Sequence, residues 1–172
     1  MAPVPRSLRA LLLAPLLLTL IGCDQATKDL AQRELMGQGP SLFLGGLFKL
    51  VYAENSGAFL GLGNSLGPQL RFWVFVVGVG VALSAGLLML LLRKELSWGG
   101  LVVGALIVSG GFGNLIDRVA NEGRVVDFMQ LGIGPVRTGI FNVADLLLVL
   151  GIALMAWPSR KAPETAGPSP AP

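Results

Sequence analysis

Apolar residues fall along the chain in four long runs, with the polar residues gathered between them. Ala10–Cys23 carries no charge, and the run continues past Asp24 to Ala26. Phe72–Leu92 and Leu96–Ile116 are uncharged throughout, and Thr138–Ser159 is uncharged except for Asp145. A helix needs about 20 apolar residues, rising about 1.5 Å each, to cross a bilayer. The pattern therefore predicts an all-α membrane protein, a four-transmembrane-helix bundle with spans near 8–26, 72–92, 96–116 and 138–158. The first run spans only if Asp24 lies at its far end. Glycines at 78, 80, 86, 99, 100, 104, 110, 111 and 113 fit close helix packing in lipid.

The connecting segments set an orientation. Arg6 and Arg9 precede the first run, Arg93 and Lys94 join the second to the third, and Arg160 and Lys161 follow the fourth. By the positive-inside rule these segments and both termini are cytoplasmic, leaving 27–71 and 117–137 as outer loops. Leu47–Tyr52 reads as a short strand, so the first outer loop is expected to carry a small extracytoplasmic β element. Residues 1–161 form one polytopic membrane domain in this reading, and 162–172 a disordered Pro/Ala-rich tail.

Composition agrees with a bilayer. Hydrophobic residues make up 53% of the chain and charged residues 13%, against roughly a quarter charged in a soluble domain. The net charge of +3 resides in basic residues beside apolar runs, which suits membrane orientation and gives no nucleic-acid patch. One cysteine excludes an internal disulfide and a cysteine-cluster metal site. The absence of histidine removes every mechanism that needs an imidazole as base or ligand. Leu20-Ile21-Gly22-Cys23 after a basic, apolar start mimics a lipoprotein signal. Three further spans follow it, so Cys23 is expected as a buried thiol on the first helix.

Acids are scarce, and Asp24, Asp117, Asp127 and Asp145 lie within or beside the outer helix ends. An intramembrane carboxylate such as Asp145 costs about 2.5–3.5 kcal/mol and usually faces a bundle interior or wet cavity. Asn114 and Asp117 share a helix face, and Asn142 and Asp145 repeat their spacing. Two close carboxylates share a proton, so that one acts as base and the other as acid. Of the outer lysines Lys28 and Lys49, Lys28 suits a pair with Asp24. A two-aspartate hydrolase needing no metal or cofactor is one reading. A small transporter or channel, and a scaffold whose Asp145 pairs with Arg118, Arg124 or Arg137, are the others.

Five ordered motifs carry a resemblance: Asp24-Gln25-Ala26-Thr27-Lys28, Asn55-Ser56-Gly57-Ala58-Phe59, the run Gly110–Arg118, Val125-Val126-Asp127-Phe128 and Phe141-Asn142-Val143-Ala144-Asp145. Together they resemble bacterial lipoprotein signal peptidase, the signal peptidase II family, from Asp24 to Asp145. The resemblance implies an aspartic endopeptidase of the cytoplasmic membrane that cuts prolipoproteins before a diacylglyceryl-modified cysteine. It implies that Asp127 and Asp145 are the catalytic pair, and it alone prefers Asp127 over Asp117 as partner. Asp117 with Arg118 would support the site from beneath, Asn55, Asn114 and Asn142 would line the cleft, and Asp24 with Lys28 would end the first helix. Gly57 and Ala144 fall among the substrate-binding or supporting positions. The second motif departs from the common Asn-x-Gly-Ala-Ala-Phe by lacking one alanine, with Leu60 after Phe59. Expected partners are diacylglyceryl-prolipoproteins and membrane lipids, with the enzyme monomeric and its site at the outer face. The segment Asp24–Arg71 would wall or cover that site.

Overall fold

The computed structural model describes residues 3–57 and 65–157. Helix α1, Arg6–Leu35, has 30 residues. It continues past the expected end at 26 because leaving hydrocarbon does not stop a helix. Charged side chains there pair along its surface, as Arg33 does with Asp29 at 2.7 Å. Gly37, at φ 76°, then turns the chain where a residue with a Cβ would be strained. Strand β1, Ser41–Phe43, a 3-10 turn and strand β2, Phe48–Asn55, follow.

A second helical rod, Pro68–Leu92, consists of α2, Pro68–Arg71, one π-helical stretch, Phe72–Gly78, and α3, Val79–Leu92. Helix α4, Trp98–Ala120, starts on Ser97, whose hydroxyl accepts from Gly100 N at 3.0 Å. Strands β3, Val125–Ile133, and β4, Val136–Arg137, lead to α5, Val143–Ala156.

By length and composition, Arg6–Leu35, Pro68–Leu92 and Trp98–Ala120 can each cross a membrane. Helix α5 has 14 residues, a rise of about 21 Å, because residues 138–142 of its apolar run are not helical. Exposed leucines and valines on these helices (Leu11 at 70%, Leu18 at 74%, Val81 at 67%) form an apolar jacket suited to lipid.

The segment 117–137 is not the irregular loop expected. After the last turn of α4 it supplies β3 and β4, and all four strands join in one antiparallel sheet of order β1-β2-β3-β4. The small β element thus belongs to both connections rather than to the first alone. Residues Val125–Phe128 are buried one after another, packed on helices as well as on β2. Register pairs Ala53 with Asp127 and Asn55 with Val125, beyond an irregularity between Leu50 and Ala53.

Helix α4 packs against α1, α3 and α5. Three of its glycines meet three different neighbours: a Cβ on Gly110 would strike the Ala144 carbonyl, on Gly111 the Leu83 side chain, and on Gly113 the Asp24 carboxylate. Their absent side chains bring the polar ends of the helices together.

At the end away from the sheet, Val4, Leu13, Leu96, Leu101 and Ala105 form a small core. Arg9, fully buried, donates to the carbonyls of Val4, Leu90, Leu91 and Arg93, and Arg6 donates to Leu92 O at 2.7 Å. These arginines cap the end of α3 as well as carrying charge. Cys23 is exposed on α1, not buried as expected, because its neighbour Asp24 takes the inward-facing position. Arg160, Lys161 and the tail 162–172 lie outside the described residues.

Candidate active site

The site begins with three buried charges. Lys28 Nζ lies 2.8 Å from Asp24 Oδ2 and 3.0 Å from Asp117 Oδ2, and donates to Asn114 Oδ1 at 3.0 Å. All three ammonium hydrogens are thereby used. Asp24 Oδ1 accepts from Ala144 N at 2.8 Å, and Asp117 Oδ2 from Val126 N at 3.0 Å. The cluster therefore locks α1, α4, β3 and the start of α5 together. A buried cation between carboxylates holds only when hydrogen bonds satisfy the remaining lone pairs, as they do here.

Above the cluster, two asparagines hand its orientation to two aspartates. Asn114 Oδ1 accepts from both Lys28 and Asn142 Nδ2, so its amide nitrogen points the other way and donates to Asp145 Oδ1 at 2.8 Å. Asn142 caps α5: its Oδ1 accepts from Asp145 N at 2.9 Å, and its own N donates to Asp145 Oδ2 at 3.2 Å. The shared spacing noted in the sequence therefore arises differently in the two helices. In α4 it is a common face, and in α5 it is a capping box. Asn142 Nδ2 also reaches Asp127 Oδ1 at 2.7 Å. Asn55 Nδ2 donates to Asp127 Oδ2 at 3.1 Å, and Asn55 Oδ1 accepts from Gly57 N. Arg118 donates to Gly57 O at 2.7 Å and Asn114 O at 3.2 Å, and lies over the Phe75 ring.

Asp127 and Asp145 face one cavity of about 710 Å³. Its polar end also holds Asn55, Asn114 and Arg118, and its remainder is lined by apolar residues including Phe75, Phe141, Leu146, Val149 and Ile152. Burial, and then the facing Asp145 carboxylate, push the Asp127 carboxyl up to about 7 from 3.8, against the pull of Asn55, Asn142 and Lys28. A carboxyl poised there can hold or release a proton near neutral pH.

A family model described as signal peptidase (SPase) II matches residues 16–160. The chain belongs to the signal peptidase II family. It is 35% identical over 140 residues to the lipoprotein signal peptidase of Clostridioides difficile (strain 630), covering 81% of this chain and 88% of that one. The lipoprotein signal peptidase of Geobacter sulfurreducens (strain ATCC 51573 / DSM 12127 / PCA) is 34% identical over 158 residues, with 91% and 92% covered. A solved structure described as a bacterial membrane enzyme superposes with a TM-score of 0.68 at 25% identity, over 83% of this chain and 84% of that one. The protein is an aspartic peptidase of a bacterial membrane.

Against that family pattern, the structure gathers Asp24, Lys28, Asn55, Gly57, Asn114, Asp117, Arg118, Asp127, Asn142, Ala144 and Asp145 into one connected network. Ala144 contributes its backbone N to Asp24 and packs beside Gly113, away from the cavity. Ala58, Phe59 and Leu60 lie outside the described residues. Among the described residues Asp145 forms no ion pair with an arginine. Arg124 instead pairs with Glu54 and Glu122, and Arg137 donates to Gly46 O. Gln25 was missed as a site residue. Its Nε2 joins Asp117 Oδ1 at 2.9 Å to Gly113 O at 3.1 Å. Its position three residues before Lys28, on the same helix face, was the available signal. The apolar lining was also missed, although Asp145, Val149 and Ile152 follow one another at helical spacing.

Proposed function

We propose that the protein removes signal peptides from diacylglyceryl-modified prolipoproteins, with Asp127 and Asp145 as its catalytic pair. The observation that carries this reading is the placement of two carboxylates, from β3 and α5, at the polar end of one apolar cavity and joined through Asn142. The ionised carboxyl takes a proton from a water, which attacks the carbonyl before the modified cysteine. The protonated carboxyl hydrogen-bonds the carbonyl oxygen as charge develops, and a proton then passes to the leaving amine. Asn55, Asn114 and Asn142 hold the two carboxyls in place, and Asp24, Lys28, Gln25, Asp117 and Arg118 hold the asparagines. The apolar lining suits both the signal peptide and the lipid chains of the substrate.

The same reading gives four crossings, the fourth formed by extended residues 138–142 followed by α5. It places the sheet and the cavity's polar end at the outer face and both termini inside. The enzyme acts as a monomer within one membrane domain, and the segment between α1 and α2 walls the substrate. Cleavage of a purified diacylglyceryl prolipoprotein tests the pair. Asp127→Asn and Asp145→Asn should each lose about 10²-fold or more of turnover, while Asp117→Asn should chiefly lower yield. Near-wild-type turnover by a folded Asp127 or Asp145 variant would refute the assignment.

A further inference from the structure

A second cavity, of about 520 Å³, lies beside the first and shares only Arg118 and Phe75 with it among the described lining residues. Among the described residues three arginines line it, Arg71, Arg118 and Arg124, against the single acid Glu122. Their charges are unequally matched. Arg124 is held by Glu54 at 2.5 Å and Glu122 at 3.1 Å. Among the described residues Arg71 makes no ion pair and no side-chain hydrogen bond. Arg118 spends its two terminal nitrogens on backbone carbonyls and keeps Nε buried with no hydrogen-bond partner. Residues 58–64 contain no acid in their sequence and cannot neutralise either guanidinium.

Arg118 lies within electrostatic reach of Asp145, Asp127 and Asp117. The guanidinium left without a counter-charge among the described residues is therefore that of Arg71, and it calls for an oxyanion, which its planar fork holds in charge-assisted hydrogen bonds. The rest of the setting calls for an oxyanion attached to hydrocarbon. Phe72 and Phe75 line the same cavity, and Phe72 with its neighbour Trp73 stands 53% and 58% exposed on the apolar rod. Basic pockets between membrane helices take lipid head groups for this reason, since the phosphate finds charge while its tails stay in lipid. We propose that this cavity binds the headgroup of an anionic phospholipid, its phosphate held by Arg71 in the basic lining and its glycerol end against Phe72 and Phe75. That the lipid comes from the outer leaflet rests on the orientation given under Proposed function.

The test uses purified full-length protein in a non-ionic detergent. It is incubated with phosphatidylglycerol, phosphatidylcholine or inorganic phosphate, and retained lipid is counted by native mass spectrometry. Phosphatidylglycerol should be retained about tenfold better than phosphatidylcholine, and Arg71→Gln should lose about tenfold of that retention, with Arg71→Lys recovering part. Unchanged retention by Arg71→Gln would overturn the proposal. So would displacement of the lipid by inorganic phosphate at concentrations equal to those of free phosphatidylglycerol, which would mark a site for free phosphate. A third overturning result is intact lipid retention in Arg71→Gln with slower cleavage only of substrates acidic after the cysteine, which would assign the cavity to the mature chain. Retention in detergent depends on neither cleavage nor orientation. An Asp127→Asn protein that binds lipid normally therefore separates this proposal from the catalytic one.

Discussion

Replacing Asp127 with asparagine should make the fold less sensitive to alkali. The Asp127 side chain is nearly fully buried, and its carboxyl keeps its proton up to about pH 7, whereas an unfolded aspartate releases it near 3.8. Between those values the folded chain binds more protons than the unfolded one, so stability falls as pH rises. A difference of about 3 units corresponds to about 4 kcal/mol when fully expressed, at about 1.4 kcal/mol per unit. Most of it, about 3 kcal/mol, develops between pH 4.5 and 8, and little is added above. Asparagine cannot ionise, and whatever it loses by exchanging an acceptor for a donor beside Asn55 and Asn142 is independent of pH. The assay is thermal unfolding of wild type and Asp127→Asn in detergent at several pH values across that interval. The gap between their midpoints should move in favour of the variant by roughly 10 °C on going from pH 4.5 to 8. A gap that stays constant with pH would show that Asp127 does not hold its proton, and the shared-proton mechanism would fall with it.

Lys28→Met should destabilise the fold by about 3–5 kcal/mol, because Asp24 and Asp117 would remain buried without their cation. Adding Asp117→Asn should cost less than the two single losses combined, as thermal unfolding of the double mutant would show. Gly110→Ala should cost about 1–3 kcal/mol, since its new Cβ meets the Ala144 backbone, which cannot swing aside. Gly99→Ala, with open space around it, should stay within about 1 kcal/mol of wild type in the same melt. Arg9→Lys should lower stability by about 2 kcal/mol, because an ammonium cannot reach the carbonyls of Val4, Leu90, Leu91 and Arg93 together. Unchanged stability in Arg9→Lys would refute the capping role given to that arginine.

Local pattern and tertiary placement divide the protein between them. Long uncharged runs determine helices because a bilayer offers the backbone no other partner, so the three rods at Arg6–Leu35, Pro68–Leu92 and Trp98–Ala120 were legible from hydropathy alone. Their ends were less so, since α1 runs on through charged residues that hydropathy counts as loop. The stretch Val125–Ile133 carries an aspartate at its third position and a glycine at its eighth, Gly132, and leads into Gly134 and Pro135, a composition that reads as loop. It is a strand because β2, distant in sequence, supplies its hydrogen bonds.

The same division holds at the site. Scarcity alone marked Asp24, Asp117, Asp127 and Asp145 as informative, because an acid near a membrane core survives only with partners. Nothing in their spacing said which two would face a cavity. That was decided by where Lys28 sits. It is drawn to Asp24 and Asp117, which become its counter-ions and structural ties, while among the described residues Asp127 and Asp145 receive only amide and backbone donors. Sequence set the number and kind of the charges. Only packing, through glycines that let α4 approach three neighbours at once, determined which carboxylates Lys28 neutralises and which face the cavity.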